Sequence, residues 1–211
     1  MYMEKTFSVT IILGDAWKLF LEHKRFYLEV VLVFGLIAVM ADMLKDDESM
    51  RLVDVVLSLI NTVATWYGSM VLMKASLSVA SNKPIASDVY SFSVSTVVTL
   101  VVASIVTGLG TFVSLLLFII PGIMFALRSG LTQYIILDQH LNSVPAIKKS
   151  LELTKGYSWS LLRLMLCFIV LALVSVFPLF GLGFVILIPV STIAMSLVYH
   201  KMRTELPVTR G

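Results

Sequence analysis

Six long apolar stretches, separated by short polar segments, dominate the hydrophobic pattern of this 211-residue chain. Most of them reach, or nearly reach, the roughly 20 residues that an α-helix needs to cross about 30 Å of hydrocarbon. A main chain inside lipid has to satisfy its own hydrogen bonds, so the pattern indicates helices. We therefore predict an all-α, polytopic membrane protein with six transmembrane helices. The predicted spans are Phe26–Leu44, Leu52–Met73, Val94–Ile120, Ile123–Leu137, Trp159–Phe177 and Phe184–Tyr199.

The segments between the spans indicate how the helices are paired. Pro121 and Gly122 separate the third span from the fourth, and Pro178, Gly181 and Gly183 separate the fifth from the sixth. Proline and glycine are the residues expected at such tight turns. Spans that are joined so closely have to be antiparallel neighbours, and we predict that the six spans form three hairpins.

The first 25 residues form no span but carry an amphipathic pattern. Ser8 is suited to cap a helix, and apolar positions follow it at Ile11, Ile12, Trp17, Phe20 and Leu21. Such a helix fits the inner membrane interface, with its tryptophan at headgroup depth. An amphipathic helix that packs against the bundle would show the same pattern, and the sequence leaves both interpretations open.

A second amphipathic segment precedes the fifth span. Ser143 is a candidate N-cap, Pro145 suits the first helical turn and Gly156 suits the end of the helix. Basic residues near an anionic lipid surface contribute about 1 kcal/mol each to membrane binding. We predict such contacts for three lysines of this segment, Lys148, Lys149 and Lys155.

A weak internal repeat accompanies these segments. Residues 82–86 resemble residues 142–146, since each segment begins with Asn, ends with Ala and has a Pro shortly before that Ala. We interpret the chain as three units, each an interfacial helix followed by a two-span hairpin.

Charge indicates the orientation of the chain. Charged residues are 14% of the sequence, against about 25% in soluble domains. If the N-terminus is cytoplasmic, almost all Lys and Arg residues lie at the inner side and only Lys45 and Arg51 lie outside, as the positive-inside rule requires.

We expect one integral-membrane domain, residues 1–211, with an interfacial helix at 1–25, a six-span bundle at 26–199 and a cytoplasmic tail at 200–211. No basic stripe with exposed aromatic residues indicates nucleic-acid binding.

Arg128 is the sharpest candidate for a functional side chain. It lies six residues beyond Gly122, inside the fourth predicted span, where an arginine costs about 2.5–3.5 kcal/mol. We expect a partner from the second span, either Asp54 directly or Asn61 through water. The functional interpretation is contact with a ligand or a lipid headgroup, and the structural one is an ion pair or a side chain that reaches the interface.

Other polar residues indicate no catalytic chemistry. Asp138 and His140 end the fourth span and could move protons, but two ligand-type residues are too few for a metal site. The sequence contains no HExxH motif and no Gly-x-Ser-x-Gly elbow. Cys167 is the only cysteine, so an internal disulfide is excluded. We expect neither an enzyme nor a cofactor.

Part of the chain resembles a known family. The motif consists of a Pro-Gly pair, a helix, an acidic residue and an amphipathic helix that leads into an aromatic residue. These elements are Ile119-Ile120-Pro121-Gly122-Ile123-Met124, Ile135-Ile136-Leu137-Asp138, Ala146-Ile147-Lys148-Lys149-Ser150-Leu151-Glu152-Leu153-Thr154-Lys155-Gly156 and Trp159. They resemble the YciC-like bacterial inner-membrane proteins, which are related to the membrane domain of some glycerophosphodiester phosphodiesterases. The resemblance implies a six-helix domain without catalytic residues, because the phosphodiesterase chemistry belongs to a separate soluble domain.

Two functions are therefore considered. The first is a non-enzymatic, accessory role in the bacterial envelope, in which the protein interacts with lipid. The second is a transporter or channel for a small anionic solute or lipid. The expected location is the bacterial inner membrane, with both termini cytoplasmic. The expected partners are membrane lipids, anionic on the cytoplasmic side, and a second copy of the chain or other envelope proteins.

Overall fold

The structure is a computed structural model that describes residues 6–44, 52–176 and 183–205, apart from the side chains of residues 42 and 176. Within these residues the chain forms nine α-helices and one 3-10 turn. The helices are α1 (Val9–Glu22), α2 (Lys24–Met43), α3 (Leu52–Ala80), α4 (Val94–Leu117), α5 (Ile119–Ser129), α6 (Thr132–Gln139), α7 (Ser143–Leu153), α8 (Ser158–Val176) and α9 (Gly183–Glu205), and the 3-10 turn is Ser87–Tyr90.

Five helical segments are long and apolar enough to cross a membrane, so the chain is a multi-pass helical membrane protein. Their mean hydropathies range from 1.3 to 2.3. The first predicted stretch forms α2, a helix of 20 residues. The five segments are Leu52–Ala80, Val94–Leu117, Ile119–Gln139, Ser158–Ser175 and Gly183–Glu205.

The turn between the third and fourth spans lies earlier than predicted. The helix α4 ends at Leu117, and Phe118 is extended, with φ −157° and ψ 132°. Pro121 and Gly122, which were expected to form the turn, belong to the first turn of α5. Proline is accommodated there because the first N–H groups of a helix have no intrahelical partner. Gly122 instead allows close packing, since a Cβ atom at this position would lie 2.6 Å from the side chain of Leu115. The predicted turn at Pro178 and Gly181 lies outside the described residues.

The fourth predicted span is interrupted. The helix α5 ends at Ser129 and α6 begins at Thr132, with Gly130 and Leu131 between them. Both intervening residues keep right-handed helical angles, so α6 continues in the direction of α5.

The two amphipathic segments are helices that pack against the bundle. Ile12, Ala16 and Phe20 recur every fourth residue along α1 and are buried, where α1 lies along α9. Trp17 is 45% exposed on another face of α1. Of the two interpretations of the N-terminal helix, the structure shows the packed one.

The second amphipathic helix starts one residue earlier than predicted. Asn142, not Ser143, is the N-cap of α7, because the Ser143 hydroxyl donates to the carbonyl of Thr99 in α4 at 2.9 Å. The helix packs against α4, α5 and α6, and Gly156 lies in the turn after it with φ +93°. The middle unit of the expected repeat, which begins at Asn82, has only the 3-10 turn Ser87–Tyr90 in place of an amphipathic helix.

The tightly packed core lies at one end of the bundle. Buried side chains gather where the C-terminal halves of α3 and α9 meet α6, and among them Val71, Ile135 and Ile193 are 0% exposed. The N-terminal half of α3 is exposed instead, as Leu59 (60%) and Val63 (67%) show. Because the helices pack closely at only one end, they leave clefts between them elsewhere.

Candidate functional site

Arg128 binds the end of α7. Its Nη2 donates to the main-chain carbonyl of Leu151 at 2.7 Å. Leu151 lies in the last turn of α7, where carbonyl groups lack intrahelical partners and the helix dipole favours a cation. The Nε of Arg128 is buried and has no hydrogen-bond partner among the described residues. Arg128 therefore joins two helices and keeps hydrogen-bonding capacity.

The main chain of Arg128 is also held by α7. Its carbonyl accepts a hydrogen bond from the Ser150 hydroxyl at 2.6 Å. The Thr154 hydroxyl lies 3.3 Å from the same carbonyl, but its closest acceptor is the Ser150 carbonyl of its own helix, at 2.7 Å. Arg128 lies two positions before Gly130, where the interruption between α5 and α6 begins. Hydroxyl side chains of a neighbouring helix are the usual means of satisfying carbonyl groups at such a break inside a membrane. The helix α7 thus stabilises the interrupted span.

The expected partners of Arg128, Asp54 and Asn61, lie on α3. The Asn61 amide oxygen accepts a hydrogen bond from Thr65, one turn further along α3, at 3.2 Å. Asp54 lies in the first turn of α3. The structure gives Arg128 an acceptor that the sequence did not suggest, a carbonyl at the end of α7, and the pairing with Asp54, or with Asn61 through water, stays a prediction. Every predicted helix end implies carbonyl groups without intrahelical partners. Which of them lies near Arg128 depends on the tertiary fold.

The three lysines of the second amphipathic segment have different environments. Lys148 and Lys155 are exposed. Lys149 is half-buried, and its Nζ donates to the amide oxygen of Gln139 at the end of α6. The exposed pair suits an anionic surface, whereas Lys149 connects α7 to α6.

A polar network that the sequence did not reveal joins α6 and α9. The Tyr199 hydroxyl donates to Oδ2 of Asp138 at 2.6 Å and accepts from the Gln139 amide at 2.7 Å. Arg203 forms an ion pair with the same Asp138 oxygen. Asp138 was considered together with His140, but the structure pairs it with α9, and no group of three or more metal-ligating side chains occurs within the described residues. The network holds the ends of α6, α7 and α9 together.

An apolar cleft of about 710 Å³ lies between α5, α6, α8 and α9. Leu161, Phe168 and Ala172 line it from α8, and Phe184 and Met195 line it from α9. Few polar atoms face the cleft, so it is suited to hydrocarbon.

A second cleft, of about 480 Å³, lies on the other side of the interrupted span, between α4, α5 and α6. Ser104, Thr107 and Gln133 line it, and the Gln133 amide donates to the Ser104 hydroxyl at 3.1 Å. Thr132 also lines it, and its buried hydroxyl has no partner among the described residues. This cleft offers hydrogen bonds but no charge.

The geometry therefore provides an interrupted span, a basic helix that supports it and a cleft on each side. Comparison with family models, with curated proteins and with solved structures finds no match to this chain. The function consequently has to be inferred from the residues and their geometry.

Proposed function

We propose that this chain is a non-enzymatic, multi-pass membrane protein whose accessory role in the bacterial envelope depends on binding membrane lipid. The observation that carries this proposal is the apolar cleft between α5, α6, α8 and α9. An acyl chain is its most suitable occupant, because burial of apolar surface is the main favourable contribution that such a lining can make.

The dimensions of the cleft support this choice. Its α8 wall runs from Leu161 to Ala172, a distance of about 16 Å at a rise of about 1.5 Å per residue. One leaflet of hydrocarbon is about 15 Å deep, half of the roughly 30 Å core. An acyl chain could therefore lie along the cleft over most of its length.

The charges of α7 suit the headgroup side of the same membrane. Lys148 and Lys155 are exposed, and each contributes about 1 kcal/mol beside an anionic leaflet. Arg128 adds a guanidinium group. One of its N–H groups donates to the Leu151 carbonyl, and the others remain for a lipid headgroup. Anionic lipids on the cytoplasmic side are the partners that we propose for these residues.

The proposed topology has six spans in three hairpins. The helix α2 packs along α3 and exposes Leu32, Leu36 and Met40, as expected of a helix that faces lipid. The other hairpins are α4 with α5 and α6, and α8 with α9. Both termini are cytoplasmic in this proposal, the membrane is the bacterial inner membrane, and the chain is a relative of the YciC-like proteins that its motif resembles.

Lipid analysis of the purified protein tests the proposal. We expect untargeted mass spectrometry to find co-purifying lipid, and Ala172→Phe to reduce its amount severalfold by filling the cleft. The control is Leu173→Phe, which changes the adjacent, 65% exposed position of the same helix. Equal lipid content in both variants and the wild type would contradict the proposal.

Transport or channel activity for a small anionic solute or lipid is the second candidate function. The interruption between α5 and α6 favours it, because transporters build their sites at discontinuous helices. The polar cleft beside Thr132 and Gln133 would line such a path. Protein in vesicles should then exchange a fluorescent anionic lipid between leaflets, or release an entrapped organic anion. Absence of both activities, with the protein folded, would favour the accessory role.

A further inference from the structure

We propose that α3 adds a polar wall to the apolar cleft, and that this wall selects a neutral lipid with a free hydroxyl and ester carbonyl groups, such as a diacylglycerol. The inference rests on the proposed lipid-binding function and specifies the class of lipid. Its basis is a groove of about 360 Å³ on α3, here called the α3 groove. It is lined by Asn61, Thr62, Thr65, Trp66 and Ser69.

The α3 groove and the part of α3 that lines the apolar cleft lie on one face of this helix. Thr62, Trp66 and Ser69 are followed along the same helix face by Met73, at spacings of four, three and four residues. Met73 is the residue through which α3 lines the apolar cleft. A molecule that lies along this face of α3 therefore passes from polar side chains to an apolar cavity.

The α3 groove presents uncharged hydrogen-bonding groups. The hydroxyl protons of Thr62 and Ser69 are donated to the carbonyls of Ser58, at 2.8 Å, and Trp66, at 2.7 Å. Their oxygen atoms remain acceptors. The amide nitrogen of Asn61 and the indole nitrogen of Trp66 supply donors.

The absence of charge among these lining residues decides the class of ligand. Ester carbonyls suit the amide and indole donors, and a ligand hydroxyl suits the threonine and serine oxygens. A phosphate would require a cation, but Arg128 binds the end of α7 and does not line the groove. Neutral lipid at α3 and anionic lipid at α7 are therefore separate contacts.

Competition between lipids tests the inference. The protein would be reconstituted in nanodiscs of phosphatidylcholine and phosphatidylglycerol with a small fraction of diacylglycerol, then extracted and analysed for bound lipid. We expect severalfold enrichment of diacylglycerol over its bulk fraction in the wild type. The variant Asn61→Leu/Thr65→Val should lose this enrichment but keep acyl lipid in the cleft.

Two further variants make the result specific. Trp66→Phe keeps the ring but removes the indole N–H, and it should weaken the enrichment even if the double variant does not fold. Thr99→Val is the matched control. The Thr99 hydroxyl likewise donates to a carbonyl of its own helix, that of Ser95, but Thr99 lies on α4 and not on α3. It should leave the enrichment unchanged.

The outcomes separate the inference from the proposed function. Cleft-dependent lipid binding without preference for diacylglycerol, or with unchanged preference in the α3 variants, would overturn the inference alone. Absence of any bound lipid in the wild type would overturn both the inference and the proposed function. If α3 instead binds a second copy of the chain, cross-linked dimers would depend on Asn61 while lipid composition would not, and this also would overturn the inference.

Discussion

Ser150 and Arg128 are 22 residues apart in sequence, yet the Ser150 hydroxyl donates to the Arg128 carbonyl at 2.6 Å. The contact joins an amphipathic helix to the interrupted span. The carbonyl and the side chain of Arg128, close to the interruption, both bind α7. The helix that the sequence assigned to the lipid surface thus also supports a transmembrane segment.

Removing the hydroxyls that stabilise the interruption should destabilise the protein. Ser150→Ala should cost about 1 kcal/mol, because the Thr154 hydroxyl, 3.3 Å from the same carbonyl, can turn its proton to it from the Ser150 carbonyl. The double variant Ser150→Ala/Thr154→Val should cost more than the two single changes together, since the buried carbonyl then has no donor. Denaturation in detergent measures the difference. Ser95→Ala, at an exposed position of α4, is the control and should change little.

Two glycines in neighbouring spans should respond oppositely to alanine. A Cβ at Gly68 would lie 2.8 Å from the ring of Phe34, whereas a Cβ at Gly35 meets nothing within 4 Å. Gly68→Ala should therefore destabilise by about 1–3 kcal/mol through overpacking. Gly35→Ala should be neutral or stabilise by up to about 1 kcal/mol, since alanine restricts the unfolded chain. Equal melting temperatures for the two variants would argue against close packing of α2 on α3.

The sequence predicted the helices well because lipid restricts the choice of structure. A long apolar run inside a bilayer has to be helical, and five of the predicted spans correspond to helical segments of membrane-crossing length and composition. The amphipathic segments were also predicted as helices, and the structure shows that the buried positions of α1 recur every four residues. The hydrophobic pattern could not show whether lipid or protein packs against the apolar face of a helix, because both surroundings are apolar.

The details that the sequence did not predict depend on local geometry or on contacts distant in sequence. Pro121 and Gly122 fit a turn and also fit the first turn of a helix, and only the extended conformation of Phe118 decides between them. One partner of Arg128 is a main-chain carbonyl, and composition carries no signal for such a group. Asp138 was identified as a polar residue at the end of the fourth span, but its pairing with Tyr199 requires the crossing of α6 and α9.

The network around Asp138 should depend more on its tyrosine than on its arginine. Tyr199 is 2% exposed and bonds both Asp138 and Gln139. The Arg203 side chain is 51% exposed, so its ion pair is screened by solvent and worth less than about 1 kcal/mol. Tyr199→Phe should cost about 1–3 kcal/mol, because it removes a hydrogen bond to the Asp138 carboxylate and the acceptor of the half-buried Gln139 amide nitrogen. Denaturation midpoints of Tyr199→Phe and Arg203→Gln provide the comparison, and a larger loss in the arginine variant would contradict it.

Tyr157 should make stability dependent on pH in the alkaline range. Its burial raises the pKa of the phenol from 10.0 to about 12, and the Glu205 carboxylate that accepts its proton acts in the same direction. A raised pKa means that the folded state favours the protonated phenol, so the contribution is complete below pH 10 and is lost as pH rises towards 12. The stability difference between the wild type and Tyr157→Phe should therefore shrink between pH 10 and 12. Glu205→Gln should move this transition to lower pH, as tyrosinate absorbance during alkaline titration would show. A difference that stays constant across this range would mean that Tyr157 titrates as it does in the unfolded chain.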